Sequence, residues 1–219
     1  MQEPLTRCLL FVSSLQSKSG AIIWNIDEKG NKDFDYLLTG NSSIAKSIQS
    51  AMHLYKVIGE KTDPLKELLT NLTDAIKNPS KKFDKQKDRS RFSMDSYYPV
   101  LSGVLNKFEE TKYIQQTLEK FYVSDLGIKC VSDQPWVTVA ETCEFVIALM
   151  KVGEKDLAKR LLTDIIQISD ENMIPYMGWQ YKEKIFWPEE QPNWTAGAEI
   201  LAFDAVYKYS TASEIFLAN

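Results

Sequence analysis

Residues 132–144 read SDQPWVTVAETCE, and residues 189–199 echo them as EEQPNWTAGAE. Trp136–Glu141 and Trp194–Glu199 share the pattern W-x3-A-E at an offset of 58, and an acid-Gln-Pro precedes each: Asp133-Gln134-Pro135 and Glu190-Gln191-Pro192. Acids just ahead of a helix satisfy its free N–H groups and suit its positive dipole end, while Pro is tolerated in the first turn. Each copy therefore reads as a helix start. A weaker third copy, MDSYYPVLSG at 94–103, places Asp95 and Tyr98 at the spacing of Asp133 and Trp136. Recurrence at about 40 to 60 residues, one helical hairpin per period, marks helical repeats or a closed α/α toroid.

The rest of the chain agrees with that pattern. Apolar residues recur at helical spacing over 4–16, 42–59, 63–76, 96–108, 111–123, 136–153, 154–169 and 194–210. Short apolar helices precede amphipathic, Lys- and Glu-rich ones, as 136–152 precedes 154–169, which describes hairpins with one buried and one half-wet member. No run of strands is convincing; GAIIWNI at 20–26 reads as a short extended piece paired with MIPYMGWQY at 173–181. The expectation is an all-α fold, a single domain over 1–219 with about four hairpins.

With 219 residues, 44% hydrophobic and 26% charged, the chain has the composition of a folded globular protein. A net charge of −4 argues against nucleic acid as a partner, which wants a basic face. The one basic cluster, KKFDKQKDRSR at 81–91, is interrupted by Asp84 and Asp88 and reads as a solvated linker. No stretch reaches the roughly 18 apolar residues of a membrane span. The N-terminus has no secretory pattern, and Cys8, Cys130 and Cys143 are odd in number with no C-x-x-C pair. Reduced thiols and a cytoplasmic location are expected.

FVSSLQSKSGAIIW at 11–24 has an aromatic, then Leu-Gln, then Gly20 and Trp24; it resembles the Q-x-x-x-G-x-W repeat of terpene cyclases and the hairpins of protein prenyltransferases, with a longer last gap. SRFSMDSYYPVLSG, VSDQPWVTVAETCE and WPEEQPNWTA together resemble bacterial α/α-toroid proteins labelled prenyltransferase-like, a toroid shared with six-hairpin glycosidases. The resemblance implies an α/α toroid. Six hairpins close a full ring, so about four describe an incomplete one, whose open apolar end favours a homo-oligomer. The Asp-rich motifs of terpene cyclases and the Asp, Cys and His zinc set of protein prenyltransferases do not stand in this chain, whose one histidine is His53. No metal or other cofactor is expected.

In a toroid the loops at one end of the inner helices surround the cleft. Asp95, Asp133, Glu189 and Glu190 are then candidate acids and bases, since paired carboxylates hydrolyse glycosidic bonds. Trp24, Tyr97, Tyr98, Trp136, Trp179, Trp187 and Trp194 are candidate stacking residues, and Arg91 a bidentate holder of carboxylate or phosphate. For each acid the alternative is a helix cap, and for each aromatic a place in the core. Glu141 and Glu199 sit one turn inside apolar helices, where a buried acid needs either a structural bond, the preferred reading, or a role as a general acid of raised pKa. Three functions stay open: a carbohydrate-active enzyme with a small-molecule or glycan ligand, an isoprenoid enzyme, or a non-catalytic helical scaffold that binds a ligand.

Overall fold

The structure, a computed structural model, describes residues 2–79, 83 and 87–217. Most of the described residues are helical, joined by strands of two or three residues. The chain divides into two compact units, Met1–Arg89 with Ser102–Leu105 and Ser90–Leu101 with Asn106–Asn219.

The first unit contains α1 (Gln2–Ser14), β1 (Asn25–Ile26), β2 (Lys32–Asp33), α2 (Leu38–Val57) and α3 (Asp63–Lys77). Leu65, Leu68, Leu72 and Ile76 of α3 bury the predicted stripe against Ala45, Ile48 and Tyr55 of α2. The Gln16 amide donates to the carbonyls of Gly20 (2.9 Å) and Leu68 (3.0 Å), clamping the loop after α1 onto α3. Gly20 has φ +87°, and a Cβ there would stand 2.2 Å from the Asn71 carbonyl oxygen. The Gln and Gly of the Q-x-x-x-G motif are thus architectural: one ties the turn, the other lets it touch the helix. Asn41, 2% exposed, adds a second clamp by bonding both the N–H and the C=O of Ile22.

Two expectations are corrected here. The segment 20–26 does not pair with 173–181; Asn25 pairs with Asp33 and Ile26 with Lys32. The basic cluster is not wholly a solvated linker, because Phe83 is buried and Arg89 Nη1 meets Asp35 Oδ2 at 2.7 Å, with side chains only 18% and 4% exposed. Residues 81–82 and 84–86 lie outside the described residues.

The second unit contains α4 (Met94–Leu101), α5 (Lys107–Phe121), β3 (Tyr122–Val123), β4 (Gly127–Ile128), β5 (Trp136–Thr138), α6 (Val139–Val152), α7 (Lys155–Ile166), β6 (Gly178–Gln180), β7 (Ile185–Phe186), α8 (Asn193–Tyr207) and α9 (Glu214–Leu217), with a 3₁₀ turn at Thr211–Ser213. Helix α6 is its centre. Val139, Thr142, Cys143, Phe145, Val146, Ile147, Ala148 and Leu149 are all buried, and α6 packs on α4, α7 and α8. Helix α7 buries only Ala158, Leu161, Leu162 and Ile165, the half-wet partner that periodicity predicted. Helix α4 stops at Leu101, short of the expected 108, and α5 starts early because Asn106 and Glu109 form a reciprocal capping box.

The all-α expectation gives way to a mostly helical unit with small sheets. Strands β5, β6 and β7 form an antiparallel sheet in which Trp136 faces Gln180 and Trp179 faces both Val137 and Phe186. Helix α6 therefore begins at Val139, three residues after the tryptophan expected to open it, whereas Trp194 lies inside the first turn of α8.

Candidate active site

Within α6, Glu141 and Glu144 are three residues apart and share a face. The carboxylate of Glu144 is held at both oxygens: Tyr97 Oη donates to Oε2 at 2.7 Å and Tyr98 Oη to Oε1 at 2.6 Å. Burial raises the Glu144 pKa above its ordinary value; the two tyrosine bonds oppose the shift and the charge of Glu141 adds to it. Burial and the charge of Glu144 in turn push both tyrosine hydroxyls far above their usual range, so they remain protonated donors.

Glu141 has a different partner, the thiol of Cys130. Burial first, then the charge of Glu141 and that hydrogen bond, push the Cys130 thiol up to about 12. Glu199 projects from α8 on the stripe that carries buried Thr195 and Ala202, and burial raises its pKa. Cys143 is fully buried, and after burial the charges of Glu199, Glu144 and Glu141 raise its thiol further.

The acids ahead of the helices are placed differently. Asp133 is exposed and its Oδ1 meets Arg91 Nη2 at 2.8 Å, a bond that with the guanidinium charge holds the carboxyl below its usual range. It does not cap α6, whose N-cap is Thr138; the N-cap of α8 is Pro192, and neither makes a side-chain cap bond. Asp95 lies in the first turn of α4 and helps, after burial and Glu109, to push Tyr113 up to about 12. Glu189 and Glu190 are exposed in the loop before α8, with the Glu190 carbonyl accepting from the Met177 N–H at 2.8 Å. Residues 91–93 and 130–132 are laddered, Ser93 N–H to the Cys130 carbonyl (2.9 Å) and Ser132 N–H to the Arg91 carbonyl (2.8 Å), so the Arg91–Asp133 pair adjoins the Cys130 end of the acid cluster.

The aromatics converge on the small sheet. Trp136 and Trp187 meet edge to face at 5.0 Å, Trp179 meets Phe186 at 5.1 Å, and Phe186 stacks on Tyr176 at 4.0 Å. Val131, Gln134, Pro135, Trp136, Gln180, Ile185 and Trp187 line a groove of about 450 Å³. Gly178 is required for this arrangement: a Cβ there would stand 2.4 Å from the Val137 carbonyl oxygen and 2.5 Å from Trp136 Nε1. Trp194 is 60% exposed on α8, and Trp24 belongs to the first unit, where its backbone N–H donates to the Asp35 carbonyl.

Glu144 escaped the sequence reading. Its signal is the spacing E-T-C-E at 141–144 inside an otherwise apolar helix, two acids on one face with nothing nearby in sequence to neutralise them. Among the described residues no group of three or more His, Cys, Asp and Glu side chains is disposed to hold a metal ion, and no helix is long and apolar enough to cross a membrane.

No protein-family model matches the chain. The sequence is 34% identical over 212 residues to an MMP endo-(1,4)-3-O-methyl-alpha-D-mannosidase of Mycolicibacterium hassiacum, covering 97% of this chain. The chain spans 58% of the length of that relative. Among solved structures it is similar to an uncharacterized conserved protein from Thermus thermophilus, with a TM-score of 0.55 at 10% identity over 78% of this chain and 46% of that one. The second likeness speaks to fold alone. The first joins the chain, over nearly all its residues, to a relative named for cleaving a glycosidic bond.

Proposed function

We propose that this chain works as a glycoside hydrolase on an α-mannoside glycan, with Glu199 as the general acid and Glu141 as the carboxylate that activates water or attacks the anomeric carbon. The reading is carried by one observation: α6 carries two half-buried acids, Glu141 and Glu144, on one face, and α8, which packs on α6, carries a third, the half-buried Glu199. Glycoside hydrolysis needs two carboxyl groups in opposite protonation states beside the scissile bond. Burial favours the protonated form of Glu199, as the acid requires, and its side chain keeps a partly open face. Glu141 is held by the Cys130 thiol. Glu144, with both oxygens occupied by tyrosine hydroxyls, ties α6 to α4.

The name of the mannosidase relative supports this reading over the isoprenoid and scaffold alternatives. Asp133, held ionised by Arg91, the half-buried Asp95, and the exposed Glu189 and Glu190 are assigned to binding sugar hydroxyls at the margin. Trp136, Trp179 and Trp187 provide stacking faces. The incomplete α/α toroid, the single-domain organisation and self-association are parts of the same proposal.

The test is hydrolysis of α-(1,4)-linked mannose oligosaccharides, plain and 3-O-methylated, followed by mass spectrometry of the products. Glu199→Gln and Glu141→Gln should each lower kcat by about 10²- to 10⁴-fold with the fold retained. A folded chain that cleaves neither substrate sinks the hydrolase reading. Cleavage that survives both substitutions leaves the activity and removes these two residues from it.

A further inference from the structure

A row of aromatic rings starts one turn past Glu199 on α8. Glu199, Phe203 and Tyr207 stand at i, i+4 and i+8, so they follow one another along one stripe of the helix. Phe203 and Tyr207 stack at 5.9 Å with 24° between their planes, and Tyr209 continues the row at 5.7 Å and 31°. Ile200, three residues before Phe203, borders the row. Folding ordinarily takes large rings out of water, yet Tyr207 is 47% and Tyr209 75% exposed.

The exposed end of the row is fixed by buried groups. Lys208 ends α8 in the left-handed conformation, which turns the chain just before Tyr209. Asp204, itself buried, commits both carboxylate oxygens to the residue after Tyr209: Oδ1 accepts the Ser210 N–H at 2.6 Å and Oδ2 the Ser210 hydroxyl at 2.9 Å. The Ser210 hydroxyl oxygen in turn accepts the Ala212 N–H at 3.1 Å and opens the 3₁₀ turn. Lys208 and Glu214 neutralise each other at 2.8 Å, so this end of α8 presents rings beside a balanced charge pair. A buried carboxylate is costly unless it is fully paired. Here its pairing orders the backbone that carries an exposed ring, and a ligand that stacks on an ordered ring has less entropy to lose.

A pyranose has an apolar C–H face and a rim of hydroxyls. A tyrosine matches both, with a flat ring and a hydroxyl that donates and accepts. From Glu199 to Tyr207 the helix rises about 12 Å, at about 1.5 Å per residue, which is long enough for more than one sugar ring beyond the acid. We propose that Phe203, Tyr207 and Tyr209 form a track of subsites for successive pyranose rings of a chain whose scissile bond lies at Glu199, so that affinity grows with chain length. The assignment rests on the glycoside hydrolase reading above and adds to it the residues that hold the substrate away from the bond.

The experiment measures binding apart from cleavage and leaves α8 intact. The full chain carrying Glu141→Gln is titrated calorimetrically with α-(1,4)-linked mannose oligosaccharides of increasing length, from the disaccharide upward. Affinity should rise with each added ring and then level off. Tyr207→Ala and Tyr209→Ala should each weaken binding of the longest chain about tenfold, the scale of losing one aromatic anchor, and leave the disaccharide unchanged. Tyr209→Phe, which keeps the ring, should retain most of the affinity. The same affinity at every length, no binding at any length, or a length dependence that survives both alanine variants overturns the track. Sedimentation velocity at the same concentrations tests another occupant: self-association that Tyr209→Ala abolishes gives this face to a second copy and also overturns it. Hydrolysis by the wild-type chain is scored separately. Cleavage without length dependence fails the track alone, and length-dependent binding without cleavage fails the hydrolase reading alone.

Discussion

In the stretch 133–141 the tryptophan lies in a strand; in 190–199 it lies in a helix. The two stretches share an acid, Gln, Pro, Trp, Ala and Glu in the same order. What differs is the filler. Val137, Thr138 and Val139 follow Trp136, β-branched residues that favour extended backbone, whereas Thr195, Ala196 and Gly197 follow Trp194. The second copy also carries Asn193 between its Pro and its Trp. Strand β6 completes the difference by pairing with Trp136–Thr138, so that the first helix starts only at Val139. The glutamates that end the pattern are the positions the two copies use alike: Glu141 and Glu199 are both half-buried in helices that pack on each other, and the charge of each raises the Cys143 thiol. A repeated motif can keep a half-buried acid in a packed helix without keeping the route of the backbone that leads to it.

The largest effect that would break this comparison is catalytic. If the shared glutamates are the functional element, Glu141→Gln and Glu199→Gln lose comparable activity, about 10²- to 10⁴-fold, while Asp133→Asn and Glu190→Gln lose much less. The reverse order would return the site to the acids ahead of the helices.

The next effect is on folding. Gly178→Ala forces a Cβ into the Val137 carbonyl and the Trp136 indole, and should destabilise by about 3 kcal/mol in urea unfolding. Gly197, the glycine inside the second copy, has nothing within 4 Å of its Cβ position. Gly197→Ala should therefore stabilise α8 by up to about 1 kcal/mol. Equal responses at the two glycines would mean that the copies are structurally alike after all.

The tryptophans sharpen the same contrast. Trp136→Ala removes a half-buried ring packed on Trp187 and should cost about 2 kcal/mol. Trp194→Ala, at a ring 60% exposed, should stay within about 0.5 kcal/mol.

The smallest effect is on pH dependence. Burial raises the pKa of Glu199 above its ordinary value of 4.5. Its neutral form is the one the fold tolerates, so the related stability is fully present below the unfolded pKa and is lost as pH rises through the folded one. Glu199→Gln should thus flatten the decline in unfolding midpoint as pH rises above the ordinary carboxylate range. An unchanged slope relative to wild type would mean that the carboxylate is solvated.

Much of the fold was legible because helices carry their period in consecutive residues. Leu65, Leu68, Leu72 and Ile76 announce α3 without knowledge of the rest, and Ala158, Leu161, Leu162 and Ile165 announce α7. The strands were not legible. Each has two or three residues, too few for a period, and β5 finds its partner some forty residues downstream. The Q-x-x-x-G motif was legible as a motif but not as a clamp, since the contact of Gly20 with Asn71 exists only once α3 is in place. At the candidate site, the tryptophans of the loop before α8 and the Arg91–Asp133 combination could be read from composition. Glu144 could not, because an acid in an apolar helix is interpretable only when Tyr97 and Tyr98 arrive from α4.

The sequence by itself determined the helices, their buried faces and the recurrence that aligns Glu141 with Glu199, because those depend on short-range spacing and on the cost of leaving apolar side chains in water. Tertiary structure alone decided which copy of the pattern begins as a strand, which carboxylates share a low-dielectric environment, and which tryptophans form the walls of a groove. Those outcomes depend on distances between residues far apart in the chain, and a side chain's proton affinity and packing follow from the neighbours that folding supplies.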